Sequence, residues 1–551
     1  MKDLLIRGAT LIDPSQDRME KADIRIRKGV VAAVADQLPV DDAELLQADG
    51  LYCAPGLVDI HVHLRDPGQT HKEDIFSGCV AAAAGGVTSV VCMPNTNPPV
   101  DDPSIVQSIL EKSGRADADV YPVGTITRGL QGQELTDFAI LKKAGVCALS
   151  DDGKPVPTAG LMAAALKKAA AVGLPVLSHS EDRELAGNGI MHEGRVSVEL
   201  GVPGIPAQAE EVAIAREIRL AAETGCPVHI CHVSTAGSVA LLREAKAKGI
   251  PVTAETAPHY FTLTHDALRT RDADYRMNPP LRTAADVRAV IHGLQDGTLS
   301  IIATDHAPHT AEEKADFNTA PNGSVGLETS LAVGITSLVV PGHLTLMQLL
   351  RCMSTAPAQL MGFKAGSLRT GMPADMVLFD PNEQWTVQPE QLRGKSHNTP
   401  FKGMTLTGKV KATILGGKIV YLEEEPLDRL IAGIRDKQNP TVAGLDPKLE
   451  YIPAYIREAA FAQHGATLEG AADALLTFNK ALIDALYDIV PAVKPQAAYY
   501  ELYGWQGVRA LADTIAYAKS KGMFVITDGK RNDIGSTMEA YAAAHLGETE
   551  V

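Results

Sequence analysis

The chain has 551 residues, which is too long for one ordinary domain and predicts about two or three. Its formal net charge of −16 argues against a nucleic-acid partner, because phosphate binding needs a basic surface. No apolar run approaches the roughly 20 residues that span a bilayer, and the seven cysteines include no Cys-x-x-Cys pair, so we expect a cytoplasmic protein with reduced thiols and no membrane contact.

Short strands are predicted at both ends of the first 425 residues. They are separated by Gly or Asp-Pro, as expected for a small sheet. We predict that residues 1–54 and 366–425 pair into one β-sandwich flanking the middle of the chain. The predicted strands are 4–7, 9–12, 22–26, 30–34, 375–379, 408–415 and 418–421.

The middle of the chain, 55–365, alternates apolar strands with Ala-rich helical stretches. Alternation over this length predicts an α/β fold of the (β/α)8 barrel type. Polar residues stand at the carboxyl ends of the predicted strands, and active sites form at that face of such barrels. Examples of these strands are 88–93, 175–179, 227–232 and 300–305.

The pattern of predicted elements changes again near residue 436. We predict a linker over 426–438, with a helix-like segment at 427–437. A fresh strand begins at 441, so a further domain is expected over 439–551.

A histidine pair follows the apolar run Ala54–Val58. That run predicts a buried strand, so His61 and His63 project from the same face at its carboxyl end. Two imidazoles side by side form half of a metal site. Taken alone, the pair is equally compatible with two ordinary strand-end histidines.

Further ligand-type residues at other strand ends favour the metal. The whole set offers six nitrogen and oxygen ligands without a thiolate, which suits one or two Zn2+ ions. A hydroxide shared by two such ions is a strong nucleophile at neutral pH. His232 ends its strand, whereas His229 faces the opposite way and is interpreted as packed or hydrogen-bonded. The predicted ligands are His61, His63, Asp152, His179, His232 and Asp305.

Five sequence blocks stand out along the first 425 residues. They are His61–Gly68, Met93–Pro98, Ser150–Gly153, Met277–Arg282 and Thr304–His309. As a set they closely resemble the signature blocks of type I dihydroorotases, which are cyclic amidohydrolases of pyrimidine biosynthesis. The resemblance covers about 1–425, and the blocks occur in the order that the family has.

The resemblance implies roles for the predicted ligands. His61 and His63 would bind one metal, and His179 and His232 would bind the other. Asp152 would bridge the two, where many relatives use a carboxylated lysine. Asp305 would bind metal and shuttle a proton, taking it from the hydroxide and passing it to the leaving amide nitrogen.

The resemblance also implies a substrate and its contacts. The reaction would be the reversible cyclisation of N-carbamoyl-L-aspartate to L-dihydroorotate. The Arg65 guanidinium suits a substrate carboxylate, because its fork can bind both oxygens. Two positions depart from the family pattern: Tyr260 replaces a usual second histidine, and Asn322 stands where relatives often carry an aromatic residue. The implied substrate contacts are Arg65, Asn95, Asn278 and His309.

A second resemblance begins after residue 439. The strand 523–527 runs into the motif Asp-x-Lys-x-x-Asp-Ile, which alone could equally be a solvated charged turn. With the upstream strands that end near Asp446 and contain Lys494, it resembles the longer bacterial form of orotidine 5'-phosphate decarboxylase. The resemblance implies a nucleotide contact from Asp446 and protonation of the product carbon by Lys530. The implied charge array is Lys494, Asp528, Lys530 and Asp533.

The resemblance to the decarboxylase stops after three strands. A (β/α)8 barrel has eight strands, and its phosphate site usually comes from the loops after strands seven and eight. We therefore expect an incomplete second barrel over 439–551, without decarboxylase activity on its own.

Two alternatives to a dihydroorotase remain at this point. One is another cyclic amidohydrolase, a hydantoinase or allantoinase, but Asp152, Arg65 and Asn95 favour dihydroorotase. The other is a non-catalytic dihydroorotase-like scaffold of aspartate transcarbamoylase. Such proteins lack the metal ligands, whereas all six ligand positions carry a histidine or an aspartate in this chain. The expected partners are the small-molecule substrate, together with either a second copy of the chain or aspartate transcarbamoylase.

Overall fold

The computed structural model describes residues 2–423 and 426–529. Its internal contacts divide the chain into two units, Met1–Glu423 and Glu424–Val551. The segment 426–438, expected as a linker, is largely the helix Pro426–Lys437 of the second unit. Lys437 Nζ donates to the carbonyl of Val490 at 3.0 Å, so the helix is tied to the unit that follows it.

The first unit begins with a β-sheet. Strand β1 pairs antiparallel with β2 and parallel with β4 and β5. The sequence predicted two strands where β1 is continuous. Gly8, at φ +79°, lies at a register shift between Ile6 and Ala9, so it makes a bulge rather than a turn. The strands are β1 Leu4–Asp13, β2 Arg18–Arg27, β3 Val30–Ala35, β4 Glu44–Gln47 and β5 Tyr52–Pro55.

Parallel strands form the centre of the first unit. In one sheet the order is β6-β7-β8-β9, and in a second it is β10-β13-β14-β15. Single bridges, Leu149 to Val176 and Val62 to His306, join the two sheets on both sides. The strands are β6 Leu57–Val62, β7 Val87–Cys92, β8 Asp119–Gly124, β9 Ala148–Leu149, β10 Leu177–Ser178, β11 Met191–His192, β12 Gly204–Ile205, β13 Val228–Ile230, β14 Val252–Thr256 and β15 Ile301–Ile302.

Helices follow most of these strands. Strand β6 is buried along its whole length, as expected for a parallel strand that is covered on both faces. Helix boundaries follow sequence signals: the Thr158 side chain caps one helix, and Gly173, at φ +66°, ends it. The α-helices of this unit are Ile75–Ala84, Pro103–Ser113, Phe138–Ala144, Ala159–Val172, Arg183–Ala186, Arg195–Leu200, Gln208–Thr224, Ala236–Ala247, Ala284–Gln295, Ser330–Gly334, Leu346–Leu350 and Ala356–Met361.

The end of the first unit returns to its beginning. Strand β16 pairs antiparallel with β5, so strands from both ends share one sheet of order β18-β17-β16-β5-β1-β2-β3. This pairing joins the two predicted end regions, while their arrangement as a sandwich stays a prediction. The strands are β16 Met376–Thr386, β17 Thr405–Leu415 and β18 Lys418–Leu422.

The second unit contains a parallel three-stranded sheet in the order β19-β20-β21. Buried Asn479 donates to the hydroxyl of Tyr500 at 2.8 Å, which joins two helices across the core. Within the residues that the structure describes, no helix has the length and apolar content to cross a membrane. The elements are β19 Val442–Leu445, β20 Ala492–Pro495 and β21 Phe524–Val525, with helices Pro426–Lys437, Ala454–His464, Leu468–Leu486, Ala498–Glu501 and Gly504–Ser520.

Candidate metal centre and substrate pocket

The six predicted metal ligands lie together at the carboxyl ends of the parallel strands. His61 is on β6 and His63 follows it, while the others follow β9, β10, β13 and β15. All six are buried, with at most 8% of any residue exposed. Carboxyl ends of neighbouring parallel strands meet at one edge, which explains why residues up to 244 positions apart in sequence converge.

Asp152 occupies the centre of this cluster. Its Oδ1 lies 3.3 Å from His61 Nε2, 3.4 Å from His179 Nδ1 and 3.9 Å from His232 Nε2. Its other oxygen lies 3.5 Å from His63 Nε2. One carboxylate therefore faces all four imidazoles, an arrangement that suits a bridging ligand.

Asp305 faces the histidine pair of β6. Its Oδ1 lies 3.2 Å from His63 Nε2 and 3.5 Å from His61 Nε2. Burial opposes ionisation of this carboxyl, but His61 and the hydrogen bond from His63 hold its pKa below the ordinary range. Asp305 is therefore a carboxylate at neutral pH and can accept a proton.

The donor set fits divalent metal ions. The ligand atoms of His61, Asp152 and His232 lie within 4.8 Å of one another, and so do those of His61, His63 and Asp305. Two of the central atoms, His61 Nε2 and Asp152 Oδ1, are buried without a hydrogen-bond partner. Such atoms are costly unless something binds them, and a metal ion would satisfy both.

The outward-facing nitrogens of the histidine pair are held by other side chains. His61 Nδ1 donates to Glu255 Oε1 at 2.9 Å, and His63 Nδ1 donates to the Asn95 side-chain oxygen at 2.9 Å. These bonds turn Nε2 of each ring towards the ligand cluster, as is usual for metal-binding histidines. Asn95 also donates to Asp152 at 3.2 Å, so it links two proposed ligands.

Glu255 is also bound by His229. His229 Nε2 donates to Glu255 Oε2 at 3.1 Å, and Thr253 donates to the other nitrogen of the same ring at 2.8 Å. Burial would raise the pKa of Glu255, but its hydrogen bonds with His229 and His61 lower it to about 2. Sequence reasoning expected His229 to be packed or hydrogen-bonded. It missed Glu255, whose signal is an acidic residue inside the short strand β14.

The rings of the second histidine pair contact each other, and His179 also faces a second carboxylate. His179 Nδ1 and His232 Nε2 are 2.9 Å apart, and His179 Nε2 lies 3.9 Å from Glu181 Oε2. Burial disfavours a charged imidazole, but Asp152 and Glu181 raise the pKa of His179 to about 10 in the metal-free protein. Metal binding here must displace a proton. Glu181 was also missed by sequence reasoning.

A cavity of about 240 Å³ opens beside the cluster. All four predicted substrate contacts line it. Arg65 is the cationic one: among the described residues, no carboxylate lies within 4.0 Å of its guanidinium, although its Nε donates to the Pro308 carbonyl at 3.2 Å. The cavity can therefore receive an anion at Arg65. The four contacts are Arg65, Asn95, Asn278 and His309.

His309 lies between cationic groups. Its Nε2 is 3.3 Å from Arg65 Nη2 and 3.0 Å from the Asn322 carbonyl oxygen, and its Nδ1 is 3.4 Å from Lys72 Nζ. Burial, Arg65 and Lys72 lower the pKa of His309 to about 3, so the ring is neutral. Lys72 Nζ lies 2.8 Å from Glu313 Oε1, and this ion pair holds Lys72 beside His309.

Three of the predicted site residues have left-handed backbone conformations. They are Arg65 at φ +58°, His232 at φ +38° and Asp305 at φ +50°. Non-glycine residues seldom adopt this region, and such strain clusters at functional sites because the surroundings enforce it. The strain thus coincides with the residues that sequence reasoning selected.

The two departures from the family pattern contact the loops around the cavity. Tyr260 donates from its hydroxyl to the Pro279 carbonyl at 2.5 Å, next to Asn278. Asn322 lines the cavity and accepts a hydrogen bond from His309 through its backbone carbonyl. Both residues therefore act on the position of a substrate contact rather than on the ligand cluster.

The second unit brings together part of its predicted charge array. Lys494 Nζ lies 3.1 Å from Asp528 Oδ2. Asp446 follows β19, at the same carboxyl edge of the sheet. Lys530 and Asp533, the other two predicted members, lie outside the described residues.

Family models match three parts of the chain. Residues 50–238 match the dihydro-orotase-like model, and residues 332–421 match an amidohydrolase family model. Residues 470–549 match the model of the orotidine 5'-phosphate decarboxylase / HUMPS family.

The chain aligns with nearly the whole length of the curated relatives that it matches. The dihydroorotase of Trichlorobacter lovleyi is 51% identical over 421 residues, 76% of this chain and 99% of the relative. That of Pelotomaculum thermopropionicum is 50% identical over 418 residues, 76% of this chain and 98% of the relative.

Solved structures share the fold of the first unit. The L-hydantoinase of Arthrobacter aurescens superposes with a TM-score of 0.70 at 26% identity, over 77% of this chain and 97% of that one. The dihydropyrimidinase of Brevibacillus agri gives 0.67 at 28% identity, over 76% and 94%. Identity to the dihydroorotases is nearly twice that to the hydantoinase group, and we conclude that the chain belongs to the dihydroorotase family.

Proposed function

We propose that the first unit interconverts N-carbamoyl-L-aspartate and L-dihydroorotate. The observation that carries the proposal is the placement of Arg65, a partly buried guanidinium without a carboxylate partner among the described residues, beside a cluster of four histidines and two aspartates. An amide-hydrolysing centre next to an anion site suits a cyclic amide that bears a carboxylate. The identity of about half the residues to curated dihydroorotases supports the same substrate.

One or two Zn2+ ions are part of the proposal. His61, His63 and Asp305 would hold one ion, and His179 and His232 the other, with Asp152 between them. A bound zinc ion polarises a carbonyl oxygen and lowers the pKa of water. The eight central strands, joined by single bridges on both sides, support a closed (β/α)8 barrel as the frame of this centre.

The chain's own side chains orient the substrate. The Arg65 fork binds both oxygens of the carboxylate, and Asn95 and neutral His309 supply further hydrogen bonds in the same cavity. The side-chain amide of Asn278 provides one more contact to the substrate.

Asp305 moves the proton. In hydrolysis it accepts a proton from the attacking water and delivers it to the ring nitrogen that leaves as the amide bond breaks. In cyclisation it works in reverse: it takes the proton from the ureido nitrogen as that nitrogen attacks the side-chain carboxyl, and it returns the proton to the hydroxyl group that leaves that carboxyl as water. Its low pKa means that it is ionised, and therefore ready to accept, at the start of hydrolysis.

The two alternatives are weaker. A hydantoinase would not require a guanidinium facing the cavity, because its substrates carry no carboxylate on the ring. A non-catalytic scaffold would not require six buried ligand groups that converge on one point. A second copy of the chain or aspartate transcarbamoylase as partner, and a cytoplasmic location, belong to the same proposal. The seven unpaired cysteines support a reducing compartment.

For the second unit we infer an orotidine 5'-phosphate decarboxylase-like fold. Three parallel strands with helices between them and the Lys494–Asp528 ion pair at the carboxyl edge support it.

The substrate proposal is tested by a direct comparison. Zinc-loaded protein is assayed with dihydroorotate, hydantoin and allantoin, with metal content measured in the same samples. We expect dihydroorotate to be hydrolysed with the highest kcat/KM and the activity to be lost on chelation. Better turnover of hydantoin or allantoin would refute dihydroorotate as the substrate, and full activity without metal would refute the requirement for a metal ion.

A further inference from the structure

Glu181 forms a hydrogen bond to one of the proposed substrate contacts. Asn278 Nδ2 donates to Glu181 Oε1 at 2.9 Å. Glu181 follows β10 and only 15% of its side chain is exposed, while Asn278 comes from the segment between β14 and β15. The bond therefore joins two distant loops at the wall of the cavity.

The chemistry of this bond fixes the direction of the Asn278 amide. An ionised carboxylate only accepts hydrogen bonds, so the side of the amide that faces Glu181 must be its NH2 group. The amide group cannot flip without placing two acceptors against each other.

The other end of the same amide has no partner. Asn278 Oδ1 is buried without a hydrogen bond, and Asn278 lines the cavity. A buried acceptor without a donor costs free energy that a ligand can recover. The groups on dihydroorotate that can donate to it are the N–H groups of the ring.

We propose that Glu181 is a positioning residue that keeps the carbonyl oxygen of Asn278 available to accept a hydrogen bond from an N–H group of the substrate. This inference rests on the proposed function, in which Asn278 contacts the substrate. Glu181 itself does not touch the substrate. It acts through the amide, and it excludes the flipped orientation, which would present NH2 to a donor.

Tyr260 holds the same segment from another side. Its hydroxyl donates to the Pro279 carbonyl, one residue beyond Asn278. Tyr260 is 2% exposed, so this bond is protected from water. The backbone and the side chain of the Asn278 segment are thus fixed separately, and the side-chain direction depends on Glu181 alone among the hydrogen bonds that the structure describes.

Exchanging the two groups provides the test. Asn278→Asp alone places two carboxylates at hydrogen-bond distance, and we expect KM for dihydroorotate to rise at least about tenfold. In the double variant Glu181→Gln with Asn278→Asp, the glutamine NH2 donates to the aspartate, whose second oxygen again faces the substrate. We expect its KM to return to within about fivefold of the wild type, since one charged hydrogen bond replaces another.

The conservative variants separate positioning from a general structural role. Glu181→Gln alone can either accept from Asn278 or donate to it, so it no longer excludes the flipped amide and should raise KM, but by less than Glu181→Ala, which removes the partner altogether. Glu184→Gln, which removes an exposed carboxylate three residues away, is the matched control. Zinc content and thermal unfolding of each variant are measured in parallel, because Glu181 also lies near His179.

Each result either supports or overturns the inference. KM recovery in the double variant, at constant zinc content, supports the inference. A double variant no better than Asn278→Asp overturns it. If Asn278→Asp does not fold, a wild-type KM in Glu181→Ala overturns it instead. Failure of the wild-type protein to hydrolyse dihydroorotate would instead refute the proposed function, which is a different result.

Discussion

His61 Nδ1 donates a hydrogen bond to Glu255 Oε1 over 2.9 Å, with the histidine 0% and the glutamate 1% exposed. This bond assigns the remaining nitrogen of His61, Nε2, to the ligand cluster. The carboxylate is itself bound by His229 through its other oxygen. A buried charge in this position is stabilised only because both oxygens are hydrogen-bonded.

Replacing Glu255 should weaken metal binding. Glu255→Gln retains an oxygen for His61 but removes the charge that supports the ring, and we expect zinc affinity to fall about 10- to 100-fold. The measurement is zinc transfer to a chelator of known affinity, followed without substrate. Glu217→Gln, which neutralises a buried glutamate on the helix Gln208–Thr224, is the control. Superimposable transfer curves for Glu255→Gln and the wild type would contradict this role.

The histidine pair of β6 could be predicted from the sequence because its geometry is local. Alternate residues of one strand share a face, so the spacing of His61 and His63 suffices. The remaining ligands came from their positions at predicted strand ends and from the resemblance to dihydroorotases. The structure places all six within one cluster.

Glu255 could not be predicted in the same way, because its partners depend on strand pairing. His229 reaches it only because β13 and β14 are parallel neighbours in one particular register. Glu181 likewise meets Asn278 across 97 residues of sequence. Gly8 shows the same limit for the fold: a glycine between two apolar runs is equally compatible with a turn and with the bulge that is observed.

Removing the proton acceptor should abolish turnover. Asp305→Asn keeps an oxygen near His63 but cannot carry a proton, so we expect kcat to fall at least about 100-fold. Zinc content is measured alongside, since Asp305 is also a proposed ligand. Near-normal turnover at full zinc occupancy would show that another group moves the proton.

Arg65→Lys should weaken substrate binding although the charge is kept. Lysine cannot bind both carboxylate oxygens in one plane, and its ammonium does not reproduce the bond to Pro308. We expect KM for dihydroorotate to rise about tenfold, the value of one charged hydrogen bond. Lys154→Arg, on the loop after Asp152, is an exchange of the same type in the opposite direction and serves as control. An unchanged KM in Arg65→Lys would place the carboxylate elsewhere.

Glu328 should make the first unit less stable as pH rises from about 4.5 to 7. Burial raises its pKa to about 7, even though its Oε1 accepts from the backbone N–H of Arg393 at 2.7 Å. The folded state therefore holds a proton that the unfolded state has released, and this contribution is full below the unfolded pKa and lost above the folded one.

The matching variant is Glu328→Gln, which does not titrate. The difference in urea midpoint between Glu328→Gln and the wild type should increase in favour of the variant from pH 5 to pH 8. Glu193→Gln, at an exposed site, should show the same pH dependence as the wild type. Parallel pH curves for Glu328→Gln and the wild type would rule out this titration.

Ending the chain after Glu423 should leave dihydroorotase activity almost unchanged. Every proposed metal ligand and dihydroorotate contact lies in the first unit, and that unit has its own sheet and core. Strand β18 completes the sheet by residue 422, and the curated relatives align over 421 residues that make up 99% of their length. We expect kcat/KM within about twofold of the full chain, because a unit with a complete core can fold alone. The comparison uses equal zinc loading for the two proteins. Loss of folding or a large fall in kcat/KM would show that the first unit depends on residues beyond 423.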